Sequence, residues 1–313
     1  MRTLLAFDGS PGAEEAAALT LGMRWPSGSV VRVVAVLELW ASLVPSVPLS
    51  PAGLVTSPEI DARLHDHLER EVEQVVGRLK AAHLDADGVV LRGRPATVIV
   101  EEAERFSADL IVAGSRGHGL IATLVLGSVS AELVDHAPCP VLVARGPAVQ
   151  RVLLASDGSP HANHAEMLVA RWSIFEDAKV RVLSVAEVVR PWHSGLAPTM
   201  YRQVVEAYAK DLAAAKTEQD AVAHRAADRL AAAGRTADAK LSVGDAAAEI
   251  IDEAARWQAD LIVLGSRGLT GLSRVLLGSV ARNVLQSSHS SVMIVRGPVD
   301  VPDRYHSAGV EAG

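Results

Sequence analysis

Cysteine is nearly absent: the 313-residue chain has one, Cys139. A single thiol can neither close a disulfide within the chain nor assemble a zinc site alone, which points to a reducing compartment. Aromatic residues make up only 4% of the chain, too few for the stacking platforms that bind single-stranded nucleic acid. Positive charge is also in deficit, with 30 lysines and arginines against 37 aspartates and glutamates, a formal net charge of −7. Such a balance leaves no overall electrostatic footprint for nucleic acid. No uncharged apolar run approaches the about 20 residues needed to span a bilayer. The first seven residues reach Asp8 too soon to form the apolar region of a signal peptide. The expectation is a cytoplasmic protein with neither membrane nor nucleic acid as partner.

Apolar residues are plentiful at 49%, and charged ones amount to 21%, which excludes intrinsic disorder. The length suits two domains of about 150 residues each. Internal comparison shows how they are related. Leu4-Leu5-Ala6-Phe7-Asp8-Gly9-Ser10-Pro11 returns as Leu153-Leu154-Ala155-Ser156-Asp157-Gly158-Ser159-Pro160. Residues 108–117 return as 259–268, residues 126–129 as 277–280, and residues 140–147 as 291–298. A unit this long is a duplicated domain, not a solenoid repeat. The reading divides the chain into domains at 1–146 and 151–298 and a flexible tail at 299–313.

Within each half, strand and helix signals alternate. Residues 30–37 and 179–186 are β-branched runs of strand length, and 110–113 and 261–264 are short apolar runs typical of strands buried on both faces. Helical patterns occupy 59–82, 97–105, 200–233 and 246–257. The expected fold is α/β, with a doubly wound parallel sheet of five strands in each half. Proline-rich stretches at 40–58 and 191–198 interrupt the two halves after their second strands.

Open α/β sheets bind ligands beyond the carboxyl ends of their strands. After the first strand, Asp8 and Asp157 either accept a ligand hydrogen bond or only organise the turn, and Ser10-Pro11 and Ser159-Pro160 then start a helix. After the fourth strand come Gly114-Ser115-Arg116-Gly117, nine residues, and Gly127-Ser128. The second half matches with Gly265-Ser266-Arg267-Gly268, nine residues, and Gly278-Ser279. Glycines let backbone N–H groups approach an anion, and the later Gly-Ser pair opens a helix whose amino end favours phosphate. The pattern is therefore a phosphate cradle. It is neither a Walker loop, since no Gly-Lys-Ser/Thr occurs, nor a dinucleotide fingerprint, since it follows the fourth strand rather than the first.

With these residues in place, both halves resemble universal stress protein domains, and the chain as a whole resembles a tandem universal stress protein from Met1 to about Pro298. The Gly-x2-Gly-x9-Gly-Ser spacing is the pattern of that family's ATP-binding members. The resemblance implies two tandem Rossmann-like domains with strand order 3-2-1-4-5, pairing through the fifth strands within the chain or in a homodimer. It places Asp8 and Asp157 at the ribose and adenine side, and Val36 and Val185 against adenine. It assigns the phosphates to Gly114, Gly117, Gly127, Ser128 and main-chain atoms of Val129. The second half matches with Gly265, Gly268, Gly278, Ser279 and Val280. ATP with Mg2+ or Mn2+ is the implied ligand.

Other residues carry weaker signals. His118 follows the second glycine of the first half, where the second half has Leu269. It reads as a solvated loop histidine or weak phosphate contact rather than a general base. The His65/His67 and His161/His164 pairs have no clear third ligand and read as surface histidines. Arg116 and Arg267 either reach phosphate oxygens or point outward to pair with an acid. Cys139 reads as a packed small hydrophobe. These expectations describe a nucleotide-dependent regulatory stress-response protein with one ATP site per domain, no catalytic residues and an unidentified regulatory protein partner. A slow ATPase or nucleotidyl-transferring enzyme of the same Rossmann-like group is the alternative.

Overall fold

A computed structural model describes residues 1–38, 58–117, 126–187, 198–268 and 277–296. Most of the proline-rich stretches at 40–58 and 191–198, the loop residues His118 and Leu269, and the tail at 299–313 lie outside them. The chain divides into two compact units, Met1–Pro147 and Ala148–Gly313.

The first unit runs β1 (Arg2–Ala6), α1 (Pro11–Gly22), β2 (Val30–Leu37), α2 (Pro58–Ala81), β3 (Asp85–Arg92), α3 (Pro95–Phe106), β4 (Leu110–Gly114), α4 (Ser128–His136) and β5 (Val141–Ala144). Its strands pair in the order β3-β2-β1-β4-β5, every pair parallel. The second unit repeats the plan with β6 (Arg151–Ala155), α5 (Pro160–Arg171), β7 (Lys179–Ala186), α6 (Pro198–Ala232), β8 (Thr236–Val243), α7 (Ala246–Trp257), β9 (Leu261–Gly265), α8 (Ser279–Ser287) and β10 (Ser291–Val295). Its order is β8-β7-β6-β9-β10, again parallel throughout. The α/β fold with a parallel sheet in each half is as the sequence implied.

The central strands are apolar on both faces because helices cover both. Leu4, Leu5, Leu110, Ile111 and Val112 in the first unit are fully buried, as are Leu153, Leu154, Leu261, Ile262 and Val263 in the second. Each such side chain stabilises its sheet by about 2 kcal/mol. At the outer side the edge strand is held by charge instead. Arg32 on β2 donates from Nε to Asp87 on β3 at 2.8 Å and from Nη1 to the buried Glu102 of α3 at 2.9 Å. Arg181, Asp238 and Glu253 repeat the arrangement in the second unit, at 2.8 and 3.0 Å. These carboxylates hold both guanidinium groups above the ordinary arginine range.

Candidate functional site

Parallel pairing decides where the site forms. β1 lies between β2 and β4, so the chain leaves β1 and β4 toward opposite faces and a crevice opens at their carboxyl ends. Asp8 and Gly9 stand on one side of it, and the loop from Gly114 to Gly117 on the other. Asp8 Oδ1 accepts from Ser10 N at 3.0 Å, closing a tight turn around Gly9 (φ +75°). Ser10 then caps α1, its Oγ accepting from Ala13 N at 3.2 Å, while Pro11 takes the first helical position. The hydroxyl proton goes across the crevice to Arg116 O at 3.2 Å.

That bond holds the loop hard against the helix start. A Cβ on Gly114 would sit 2.3 Å from Gly12 C and 2.8 Å from Ala13 N. One on Gly12 would sit 2.2 Å from Arg116 O, and one on Gly117 would sit 2.7 Å from Asp8 Oδ2. The space beside Asp8 that a side chain at 117 would take is thus kept clear. Gly127 N donates back to Ser115 O at 2.7 Å, bringing the start of α4 beside this loop. As the N-cap of α4, Gly127 offers no side-chain acceptor to the N–H groups of the first turn. Ser128 is exposed and Val129 half-buried there, and Ser130 Oγ donates to Gly114 O at 2.6 Å. Val36 is half-buried near the carboxyl end of β2, in register with Leu91.

The second unit rebuilds the crevice. Asp157 Oδ1 accepts from Ser159 N at 2.9 Å, Ser159 Oγ accepts from Ala162 N at 3.2 Å, and the same hydroxyl donates to Arg267 O at 3.4 Å. A Cβ on Gly268 would fall 2.6 Å from Asp157 Oδ2, and one on Gly265 within 2.7 Å of His161 C. Gly278 N donates to Ser266 O at 2.8 Å, and Gly278 leaves α8 without a side-chain cap above Ser279 and Val280. Val185 is half-buried on β7, in register with Ser242.

Asp, glycine loop and helix start are therefore brought together in each unit. The cradles also contain residues that the motif reading passed over. The capping hydroxyls of Ser10 and Ser159 each still have a proton to place, and here it ties helix to loop. Glu71 reaches over from α2 with Oε2 3.3 Å from where a Cβ on Gly9 would lie, whereas Val222 of α6 fills the equivalent place over Gly158. No local pattern marks either. His161, half-buried, has its Cβ 2.8 Å from where a Cβ on Gly265 would lie.

At the end of β5, burial and then the charge of Arg116 draw the Arg145 guanidinium down to about 10, with Glu15 opposing. Cys139, by contrast, is buried, and burial followed by the charge of Asp109 pushes its thiol up to about 12, which leaves it a packing group. Among the described residues, no group of three or more His, Cys, Asp or Glu could hold a metal ion, and no helix is long and apolar enough to cross a membrane.

The sequence profile of the Universal stress protein family matches residues 1–145 and again 148–296. A universal stress protein of Thermus aquaticus is 38% identical over 146 residues, 45% of this chain and 96% of its own length. One from Mycolicibacterium smegmatis is 27% identical over 304 residues, 91% of this chain and 95% of its own. Among solved structures, a universal stress protein from Archaeoglobus fulgidus superposes with a TM-score of 0.64 at 19% identity, covering 94% of this chain and 98% of its own, a likeness of fold.

Proposed function

The chain belongs to the universal stress protein family, and from that premise we propose that it binds ATP in each unit and acts as a nucleotide-dependent regulatory protein. One observation carries the reading. In each crevice the glycine that ends the fourth strand can bear no Cβ against the backbone of the neighbouring helix. Three residues on, a second glycine keeps the space beside the strand-one aspartate open. Next to that space, a helix begins on glycine. Main-chain N–H groups and a helix amino end are what a phosphate chain requires where bulk positive charge is lacking.

In this reading Gly114, Gly117, Gly127, Ser128 and Val129 N–H hold the phosphates of the first nucleotide, and Gly265, Gly268, Gly278, Ser279 and Val280 those of the second. Asp8 and Asp157 accept from the ribose, and Val36 and Val185 border the adenine. Mg2+ or Mn2+ enters with the phosphates and offsets their charge. Occupancy shifts the protein between states read by a regulatory partner, through a difference in ATP affinity between them. Homodimer assembly belongs to the same proposal.

Calorimetric titration of desalted protein with MgATP tests it. Two sites per chain are expected, with both lost in the Gly117→Ala/Gly268→Ala double variant, whose methyl groups press on Asp8 and Asp157. Absence of binding to the parent protein, or unchanged binding in the folded double variant, overturns the reading.

A further inference from the structure

The two cradles differ at the second residue of the helix that follows the first strand. α1 begins Pro11-Gly12-Ala13, and α5 begins Pro160-His161-Ala162. In the first unit no side chain fits there, since a Cβ on Gly12 would lie 2.2 Å from Arg116 O. In the second unit a histidine occupies the place. Its own Cβ lies 2.8 Å from where a Cβ on Gly265 would be, so it stands at the joint between α5 and the end of β9. The Ser159 Oγ to Arg267 O bond spans 3.4 Å where its counterpart spans 3.2 Å.

The half-buried imidazole lies within electrostatic reach of Arg267 in the loop after β9, Asp157 in the loop after β6 and His164 on its own helix. We infer that His161 is a ligand-contacting residue of the second cradle alone. There it donates a hydrogen bond to a phosphoryl oxygen held beside Arg267, and a proton is taken up as the nucleotide binds. The inference rests on the proposed nucleotide site and deepens it: the second site is pH-responsive and the first, with Gly12 in that place, is not.

The sign follows from the surroundings. Burial first, then the charges of Arg267 and His164, hold the imidazole of the unliganded protein below 6.5, with Asp157 opposing. It is therefore neutral near pH 7. A phosphoryl group placed beside it favours the charged form, whose two ring nitrogens both donate. Affinity at the second site thus rises as pH falls from neutrality, and levels off once the free imidazole is itself protonated.

The test uses the full chain carrying Gly117→Ala to close the first cradle, titrated with MgATP at pH 6.0 and 8.0 in buffers of different ionisation enthalpy. His161→Gln, a side chain that donates without titrating, is titrated in parallel and corrects for the ionisation of ATP itself. The gain in affinity from pH 8.0 to 6.0 is expected to exceed that of the Gln variant by about fivefold, with greater proton uptake, as for a hydrogen bond gaining charge. A His161 imidazole resonance whose pKa rises on adding MgATP is the matching spectroscopic sign. Identical pH profiles and proton uptake in the two proteins overturn the inference while leaving the nucleotide site standing. Failure of the parent and both variants to bind ATP at either pH overturns the nucleotide reading, and this inference with it.

Discussion

Glycine serves separate purposes at positions 114, 127 and 117, and substitution separates them. At 114 a methyl group would meet the backbone of Gly12 and Ala13, which cannot swing aside. Gly114→Ala is expected to cost about 2–3 kcal/mol, read as a lowered Tm in thermal melts. At 127 the nearest atoms to an added Cβ are 3.5 to 3.7 Å away, an ordinary contact distance. Gly127→Ala should therefore change stability by about 1 kcal/mol or less, the cost of a poorer N-cap. The fold itself has no steric need for glycine there, so a loss of ATP binding in that variant, about tenfold by titration, would come from close approach of the ligand. Position 117 lies between these cases, because its methyl group would displace the Asp8 carboxylate rather than backbone.

The equivalent helices α3 and α7 are begun by different means and ended alike. Asp245 caps α7, its Oδ1 accepting from Ala248 N at 2.9 Å, whereas α3 starts after Arg94 with no side-chain cap and has Pro95 in its first turn. Asp245→Ala should lower stability by about 1 kcal/mol, measurable by denaturant titration. Both helices end on a non-glycine residue in the left-handed region, Ser107 (φ 51°) and Gln258 (φ 54°). Ser107→Gly removes a Cβ from a strained position and should raise stability by about 0.5–1 kcal/mol in the same assay. Strands were legible to different degrees for a physical reason. Leu110 to Val112 is apolar because both faces are covered, so the run announces itself. β3 and β8 hold Asp85, Asp87 and Gly88, and Thr236, Asp238 and Lys240; their place at the sheet margin lets charge substitute for burial, so neither is an apolar run, and alternation breaks in β3 at Gly88 while β8 keeps it. The Asp87 and Asp238 carboxylates that hold these strands to Arg32 and Arg181 are meaningful only once the strands are paired.

At the scale of the whole chain, duplication predicts a stoichiometry. Gly117→Ala and Gly268→Ala, taken singly, should each leave one ATP site of the two, counted by titration. The site that survives in the first variant should carry the pH dependence assigned to His161. A net charge of −7 gives no general attraction for ATP, so such binding depends on local main-chain dipoles, helix ends and the accompanying cation. The amino-acid sequence by itself determined the duplication, the alternation of strand and helix, the apolar central strands and the glycine spacing, because each is a local pattern or a literal repeat. Only the tertiary structure decided what those glycines touch. Gly12 and Arg116 are separated by more than a hundred residues, and parallel pairing of β1 with β4 is what sets them in contact. The same pairing in the second unit, β6 with β9, places His161 beside Gly265 and makes two cradles of one motif unequal.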